Sequence, residues 1–364
     1  MKKIIIVIYL IISTLSFGQK EKLAAKLLGT TDGKIISCIN GDRIYPLASI
    51  TKMMTILITY DAIFNEEISM NDIVNIPKDE RKIKGSRIWM AKEEKLSVRD
   101  LLKATAIYSA NNAAYSLAYY IGSGDLNKFI KRMNEKAKLL GMTNTNYYTS
   151  TGLPPYMTRT KMDVSTVKDI YKLSIELLKN DDYMKMASMK DAKIKNGQQK
   201  FKNRNKLLGI DGIYGMKTGH HSLAGYNISI VSKKRNLNVI EIIFGSPDEQ
   251  TRDKIVLEDL NQFYNNYDYR NLLICGEKLG ELKVKGSLVS KINFYAEKDF
   301  IKLMPKNMKI EKKIIMKENL EAPIEIGTKV GEYRILIDDK IYLKKDLKIQ
   351  HSIKKISFFQ KIFN

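Results

Sequence analysis

The sequence predicts a domain of the α/β (α+β) class, followed by a small all-β domain and a terminal amphipathic helix. Up to about residue 270, apolar residues recur at helical spacing in several segments, between a few strand-like runs. From 276 to 342, short alternating segments separated by turn residues replace the helical pattern. From 346 to 364, apolar residues return at helical spacing. We therefore expect domain bounds at 19–270, 275–345 and 346–364.

Within the first domain, each element is predicted from its own local pattern. Residues 34–39 form a strand-like run before a Gly-Asp turn. Ile50, Met53 and Leu57 share one face of a helix that begins at Ser49. The same periodicities predict the remaining elements in chain order: helices at 96–121, 126–140 and 164–178, strands at 226–231 and 239–244, and a closing helix at 255–264.

The terminal segment 346–364 has a basic, aromatic-bearing helical pattern. Its apolar stripe consists of Ile349, Ile353, Ile356, Phe359 and Phe363. Lysines lie opposite this stripe, and such a helix suits the plane of a membrane interface. The alternative is an ordinary helix docked on the β domain. We favour the membrane surface, since lysines beside phenylalanines are poor core material.

Composition limits the class of partner. The 364 residues, 44% of them hydrophobic, suffice for a large domain plus a smaller one. A net charge of +22, from 62 basic and 40 acidic residues, suits an anionic surface such as lipid head groups, anionic wall polymer or nucleic acid. The lysines are spread along the chain without interleaved stacking aromatics, which makes nucleic acid the least favoured of the three.

Residues 1–18 have the pattern of a secretory signal. Lys2 and Lys3 precede an apolar run at 4–12, and a small-x-small site follows at 16–18. The run is too short to span a bilayer comfortably, so we expect cleavage rather than retention. The mature protein is therefore predicted to lie on the extracytoplasmic side of the cytoplasmic membrane.

The cysteines and histidines predict neither a disulfide framework nor a metal site. Cys38 and Cys275 are far apart in sequence, and two buried free thiols are the favoured interpretation, although export permits a disulfide. The three histidines lack suitable carboxylate or cysteine companions for metal binding. We expect no cofactor.

Three short strings in one order predict nucleophilic acyl transfer without a histidine base. They are Ser-x-x-Lys at 49–52, Ser-x-Asn at 109–111 and Lys-Thr-Gly at 217–219. Each string alone is weak: Ser49 alone is a helix cap, and Lys-Thr-Gly alone is a turn. Their order and spacing are what one active site requires, with the third string on an edge strand.

The residue types assign a role to each side chain. Ser49 needs a neighbouring base, and Lys52 lies one helical turn away. Lys52 serves as that base only when neutral, which requires burial or a second cation such as Lys217 to lower its pKa. Ser109 is placed to relay a proton to the leaving amine, and Asn111 to hold Lys52 and the substrate amide. The backbone N–H groups of Ser49 and of His220 are expected to form an oxyanion hole.

Beyond these strings, the chain resembles a known family in several further stretches. They are 47–55, 85–86, 96–102, 151–154, 203–208, 212–220, 224–227, 322–324 and 329–332. The resemblance, from about Lys34 to the C terminus, is to the low-molecular-weight penicillin-binding proteins of the penicillin-binding-protein 5 kind. These are serine-type D-alanyl-D-alanine carboxypeptidases (peptidase family S11). It implies a penicillin-recognising serine-hydrolase (β-lactamase/transpeptidase-like) fold, in which a five-stranded antiparallel sheet lies between helical layers.

The resemblance also implies a reaction and partners. The nucleophile Ser49 is expected to remove the terminal D-alanine from peptidoglycan stem pentapeptides, in peptidoglycan biosynthesis and cell-shape maintenance. The resemblance places Thr218 and Gly219 beside the terminal carboxylate of the substrate, with Lys217 and His220 also in the binding site. β-Lactams are expected to acylate Ser49. The second domain and terminal helix would hold the catalytic domain at the membrane surface.

Two departures from the family pattern and three alternatives remain. Asn112 stands where relatives usually carry Asp, and His221 where Thr is usual. A class A β-lactamase is disfavoured because 142–155 contains no Glu or Asp. A non-catalytic murein-binding scaffold would be expected to lose one of the catalytic side chains. Endopeptidase action on cross-links uses the same motifs and stays open.

Overall fold

A five-stranded antiparallel sheet is the centre of the first unit. The computed structural model describes residues 23–357. The strands of the first unit are β1 (Ala25–Thr30), β2 (Ile35–Ile39), β3 (Tyr45–Pro46), β4 (Ile73–Asn75), β5 (Lys95–Ser97), β6 (Val164–Ser165), β7 (Asp191–Ile194), β8 (Gln199–Lys202), β9 (Ile213–His221), β10 (Gly225–Lys234) and β11 (Leu237–Ser246). In the main sheet the order is β2-β1-β11-β10-β9. The predicted five-stranded antiparallel sheet is therefore confirmed, and the Lys-Thr-Gly string lies on an edge strand.

Helices cover this sheet and supply most of the core. They are α1 (Lys52–Phe64), α2 (Val98–Lys103), α3 (Asn111–Ile121), α4 (Leu126–Leu139), α5 (Pro155–Thr158), α6 (Val167–Leu178), α7 (Asp181–Ala187) and α8 (Glu249–Asn266). In α4, Phe129, Met133 and Ala137 recur every four residues and are buried, as its amphipathic pattern predicts. By contrast, α1 is buried on almost every side. It is the helix around which the catalytic strings gather.

The helix predicted over 96–121 is interrupted in the middle. After α2, the chain passes through a π-helical turn at Ala104–Tyr108, and Ser109 adopts a left-handed φ of 65°. Ala110 is extended, and α3 begins at Asn111. A non-glycine residue in the left-handed region is costly, and such residues cluster at functional sites. The interruption places the Ser-x-Asn string in a bend between two helices.

The second unit begins within α8, where the chain divides between Asn261 and Gln262. Its strands are β12 (Tyr267–Leu273), β13 (Lys278–Lys285), β14 (Lys291–Tyr295), β15 (Phe300–Pro305), β16 (Ile310–Met316), β17 (Leu320–Glu321), β18 (Lys329–Ile337) and β19 (Lys340–Lys348). They form the sheets β12-β15, β14-β13-β17 and β16-β18-β19. The small all-β domain predicted from the short alternating segments is therefore present.

The helix predicted over 346–364 is wrong wherever the structure describes this segment. Strand β19 continues through Lys348. Ile349 and Ile353 are buried in a core cluster with Val330, and Ile353 bridges to Ile324. The chain bends at Gln350 and His351, so the spacing of four that suggested a helical stripe instead reflects two buried residues on either side of a bend. Residues 358–364 lie outside the described residues, as does the predicted signal at 1–18.

Both cysteines are free, as expected, but neither is buried: Cys38 and Cys275 are exposed. Across residues 23–357, no helix has both the length and the apolar character needed to cross a bilayer. The same residues contain no cluster of histidine, cysteine and acidic side chains suited to a metal ion.

Candidate active site

The Ser-x-x-Lys string forms a contact between nucleophile and base. Residues Ala48–Thr51 make a 3-10 turn ahead of α1, and α1 itself begins at Lys52. Because a 3-10 turn brings residues three apart onto one face, the side chains of Ser49 and Lys52 meet. Lys52 Nζ lies 2.9 Å from Ser49 Oγ and also donates to the carbonyl oxygen of Thr151 at 2.6 Å.

Lys52 is held in an environment that favours its neutral form. The side chain is fully buried, and burial lowers its pKa well below the ordinary value. The charge of Lys217 lowers the pKa further, whereas Asp163 raises it. A buried ammonium loses its hydration, so deprotonation is favoured. A neutral Lys52 at 2.9 Å from Ser49 Oγ can accept the hydroxyl proton.

Lys217 brings the second string into the same cluster. It lies on β9, is buried, and its Nζ donates to Ser109 Oγ at 2.8 Å and to the Thr218 carbonyl at 2.9 Å. Burial, followed by the charge of Arg204, lowers the pKa of Lys217 to about 7. At neutral pH the group is therefore close to its midpoint. A protonated Lys217 offers a positive charge beside the edge strand.

Two glycines allow the close approaches on which the site depends. A Cβ on Gly219 would lie 2.8 Å from the Leu47 carbonyl oxygen and 3.0 Å from the Ile50 nitrogen. A Cβ on Gly152, whose φ is +78°, would lie 1.8 Å from the Ala48 carbonyl oxygen. Both contacts are with backbone and cannot be relieved by a side-chain rotation. Glycine therefore lets β9 and the 151–152 segment pack against the turn that carries the nucleophile.

Asn111 is in the site but makes other contacts than expected. Its backbone N–H donates to Ser86 O at 2.7 Å, and its Nδ2 donates to Lys84 O at 2.7 Å. The described residues give its buried Oδ1 no hydrogen-bond partner. Lys52 bonds to Ser49 and Thr151 instead, so the predicted Asn111–Lys52 contact is not formed here. The free Oδ1 can accept a substrate N–H.

Residues 19–248 match the profile of the D-alanyl-D-alanine carboxypeptidase family, and residues 267–355 match that of the penicillin-binding protein 5 C-terminal domain. The chain belongs to the D-alanyl-D-alanine carboxypeptidase family. It is 29% identical over 345 residues to D-alanyl-D-alanine carboxypeptidase DacF of Bacillus subtilis. This match covers 93% of this chain and 87% of that relative.

Two further relatives bear on the site. The chain is 33% identical over 213 residues to the D-alanyl-D-alanine endopeptidase of Haemophilus influenzae, covering 57% of this chain and 69% of that relative. Among solved structures, penicillin binding protein 5 from Haemophilus influenzae superposes with a TM-score of 0.67 at 25% identity, covering 92% of this chain and 98% of that one. The fold class and family expected from the motifs are confirmed.

Asn112 and His221, the two residues at which the resemblance indicates a departure from the family pattern, both make local contacts. Asn112 is buried, and its Nδ2 donates to the Ile88 carbonyl at 2.9 Å and to Glu80 Oε2 at 3.2 Å. An Asp here would face the Glu80 carboxylate. His221 Nδ1 accepts the Ala224 N–H at 3.1 Å and closes the turn after β9. Burial lowers the pKa of His221 to about 4, so the imidazole is neutral.

The remaining predicted residues flank the edge strand. Thr218 and His220 follow Lys217 on β9 and pair with Ile228 and Tyr226 of β10. β9 is an edge strand, so among the described residues no further strand of this sheet pairs with its other side. His220 is exposed and stacks on Tyr226 with ring centroids 3.9 Å apart.

Sequence reasoning assigned no role to three groups that the structure places at the site. Arg204 lies over the Tyr108 ring at 4.4 Å and donates to Ser86 Oγ at 3.4 Å, and its charge acts on Lys217. The Thr151 carbonyl holds Lys52, and Asp163 lies near it. In the sequence, the stretches 151–154 and 203–208 were identified only by the family resemblance, which gave them no catalytic role. No spacing rule joins Asp163 to a lysine 111 positions earlier.

Proposed function

We propose that this protein is a serine-type D-Ala-D-Ala carboxypeptidase that removes the terminal D-alanine of peptidoglycan stem pentapeptides through a Ser49 acyl-enzyme. The observation that carries the proposal is the buried pair of lysines: Lys52 Nζ is 2.9 Å from Ser49 Oγ, and Lys217 Nζ is 2.8 Å from Ser109 Oγ. A scaffold protein would have no need for two buried lysines, each with its pKa lowered and each in contact with a hydroxyl.

In the proposed acylation, Ser49 Oγ attacks the carbonyl carbon of the penultimate D-alanine while its proton passes to neutral Lys52. The backbone N–H groups of Ser49 and His220 stabilise the oxyanion. The C–N bond then breaks, and the amine of the leaving D-alanine takes up the proton that Lys52 removed from Ser49, relayed by Ser109, so that Lys52 is neutral again. Water later cleaves the Ser49 ester, releasing the shortened peptide and restoring the hydroxyl. Lys217 and Thr218 bind the terminal carboxylate.

A D,D-endopeptidase is the second candidate, because a relative of that name is 33% identical over 213 residues. Both reactions break a bond after a D-alanyl carbonyl, so the catalytic strings do not distinguish an end from a cross-link. The match to the penicillin-binding protein 5 C-terminal domain at 267–355 supports the carboxypeptidase.

We place the reaction outside the cytoplasm, in peptidoglycan biosynthesis and the maintenance of cell shape. The signal pattern at 1–18 supports export. A membrane-surface location is supported by the net charge of +22 and by the aromatic and basic residues of 358–364.

The proposal is tested by incubating the protein from Gln19 onward with a penicillin and recording the intact mass, alongside Ser49→Ala. We expect a one-to-one covalent adduct on the parent protein and none on the variant. Release of free D-alanine from a synthetic pentapeptide, compared with cleavage of a cross-linked dimer, then separates the two candidates. A folded parent protein that forms no adduct would leave a binding role as the better account.

A further inference from the structure

Asp163 is a buried carboxylate behind the catalytic lysine, and the reaction described above does not use it. It is 2% exposed and directly precedes β6. Its Oδ1 accepts the backbone N–H groups of Tyr148 at 2.6 Å and of Thr149 at 2.9 Å. Its Oδ2 accepts the hydroxyls of Thr149 at 2.6 Å and of Thr51 at 3.1 Å. Four donors thus converge on one side chain.

These bonds connect Asp163 to both sides of Lys52. Thr51 directly precedes Lys52. Thr149 Oγ1 accepts the backbone N–H groups of Thr151 at 3.2 Å and of Gly152 at 2.9 Å, and the Thr151 carbonyl in turn accepts from Lys52 at 2.6 Å. The Leu47 N–H also donates to the Asp163 carbonyl at 3.0 Å. The carboxylate therefore fixes the start of α1 and the segment that holds the lysine.

Its charge also reaches the lysine. Lys52 is faced by Lys217 from β9, which lowers the Lys52 pKa, and by Asp163, which raises it. Asp163 is faced by Lys52 and by the buried Tyr147. Burial raises the pKa of Asp163 to about 6 against the lowering effect of its four hydrogen bonds, so the group is mostly ionised at neutral pH.

We propose that Asp163 is a positioning residue that acts through Lys52, fixing the groups that hold this lysine and setting with its negative charge how readily the lysine releases its proton. The inference rests on the proposed function, in which Lys52 is the base. It assigns Asp163 no contact with substrate. Its consequence is a specific change in the pH dependence of acylation.

The test compares the second-order rate of acylation by a penicillin between pH 4 and 9 in the parent protein and in Asp163→Asn. The amide Oδ1 can accept both backbone N–H groups, and the Thr51 hydroxyl can reverse to accept from Nδ2, whereas Thr149 Oγ1 already accepts two N–H groups and loses its acceptor. Without the negative charge, Lys52 loses its proton more readily, so the rising limb should move to lower pH by about half to one unit. The maximal rate should fall severalfold as the lysine becomes less well fixed.

Asp169→Asn is the matched control. Asp169 is also 2% exposed and accepts the Asn144 N–H at 2.9 Å and the Thr145 hydroxyl at 3.0 Å. It does not contribute to the pKa shift of Lys52. Its replacement should lower stability without moving the rising limb. An unchanged midpoint in folded Asp163→Asn, or an equal shift in Asp169→Asn, would overturn the proposal.

If Asp163→Asn does not fold, Thr51→Val gives a second measurement. Removing this hydroxyl takes one donor from the carboxylate and raises the pKa of Asp163, so the midpoint should move in the same direction by a smaller amount. A profile identical to that of the parent would then count against the proposal. If the parent protein itself forms no adduct with the penicillin, the proposed function is contradicted. This outcome is distinct from an unchanged pH profile in the variants, which contradicts only the role of Asp163.

Discussion

Two lysines of the first unit, Lys52 and Lys217, and one of the second unit, Lys309, occupy opposite environments. In the first unit, Lys52 and Lys217 are 0% and 2% exposed, and burial lowers the pKa of each. In the second unit, the side chain of Lys309 is 64% exposed and its Nζ lies 3.1 Å from Asp339 Oδ1. That hydrogen-bonded carboxylate raises the pKa of Lys309.

Lys52 and Lys309 differ in their hydrogen-bond partners as well as in their exposure to water. The hydrogen-bond acceptors of Lys52 are a hydroxyl and a carbonyl. Both groups are uncharged, so they do not favour the protonated amine over the neutral amine as a carboxylate would. Lys309 has a carboxylate, which holds the proton in place. A lysine becomes a base when it is buried beside neutral acceptors and a second cation. The number of lysines in a sequence does not predict which of them is placed in this way.

The largest effect that tests this comparison is expected from Lys52→Arg. A guanidinium keeps the positive charge but cannot become neutral in a protein, so Ser49 loses its base. We expect the second-order rate of acylation by a penicillin to fall by about a thousandfold. Lys309→Arg is the matched control and should leave this rate unchanged. A Lys52→Arg protein that is folded by circular dichroism and acylates within tenfold of the parent would show that Lys52 is not the base.

An intermediate effect is expected from pH. Lys217 is charged below its pKa of about 7 and neutral above it, so attraction of the penicillin carboxylate should weaken as pH rises through 7. Acylation should therefore fall as pH rises through 7, while deprotonation of Lys52, whose pKa burial lowers, acts in the opposite direction and contributes a rising limb.

Arg204→Gln sharpens the same measurement. The Arg204 charge lowers the pKa of Lys217, and its removal should move the falling limb to higher pH. A limb that stays in place, or moves down, would contradict the assignment to Lys217.

The smallest effect is expected from Asp339→Asn in the second unit. Its ion pair with Lys309 is open to solvent on both sides, and such pairs add little stability. The melting temperature should change by less than about 2 °C, and acylation should be unaltered. A large loss of stability on removing this exposed pair would contradict the contrast between Lys309 and the buried lysines of the first unit.

Most of the site could be predicted from the sequence because its motifs are local. Ser49 and Lys52 are three residues apart, and any helical turn brings them together. The edge position of Lys217 followed from the strand pattern at 226–231. The helix predicted across 96–121 failed at Ser109, because a left-handed residue leaves no mark in hydrophobic periodicity.

The C-terminal error has a similar cause. A spacing of four between Ile349 and Ile353 fits one face of a helix, and a chain that bends at Gln350 and His351 between two buried residues gives the same spacing. Packing against Val330 and the bridge between Ile353 and Ile324 stabilise this non-helical conformation.

The sequence by itself determined the family, the order of the catalytic strings and the identity of the nucleophile, since these depend on residue type and on short spacings. Only the tertiary structure decided which charges act on which. Asp163, Arg204 and Lys217 come from segments far apart in the chain, and their influence on Lys52 and on one another depends on distance and burial. Both quantities are properties of the packed fold, because only packing removes the water that would otherwise screen these charges.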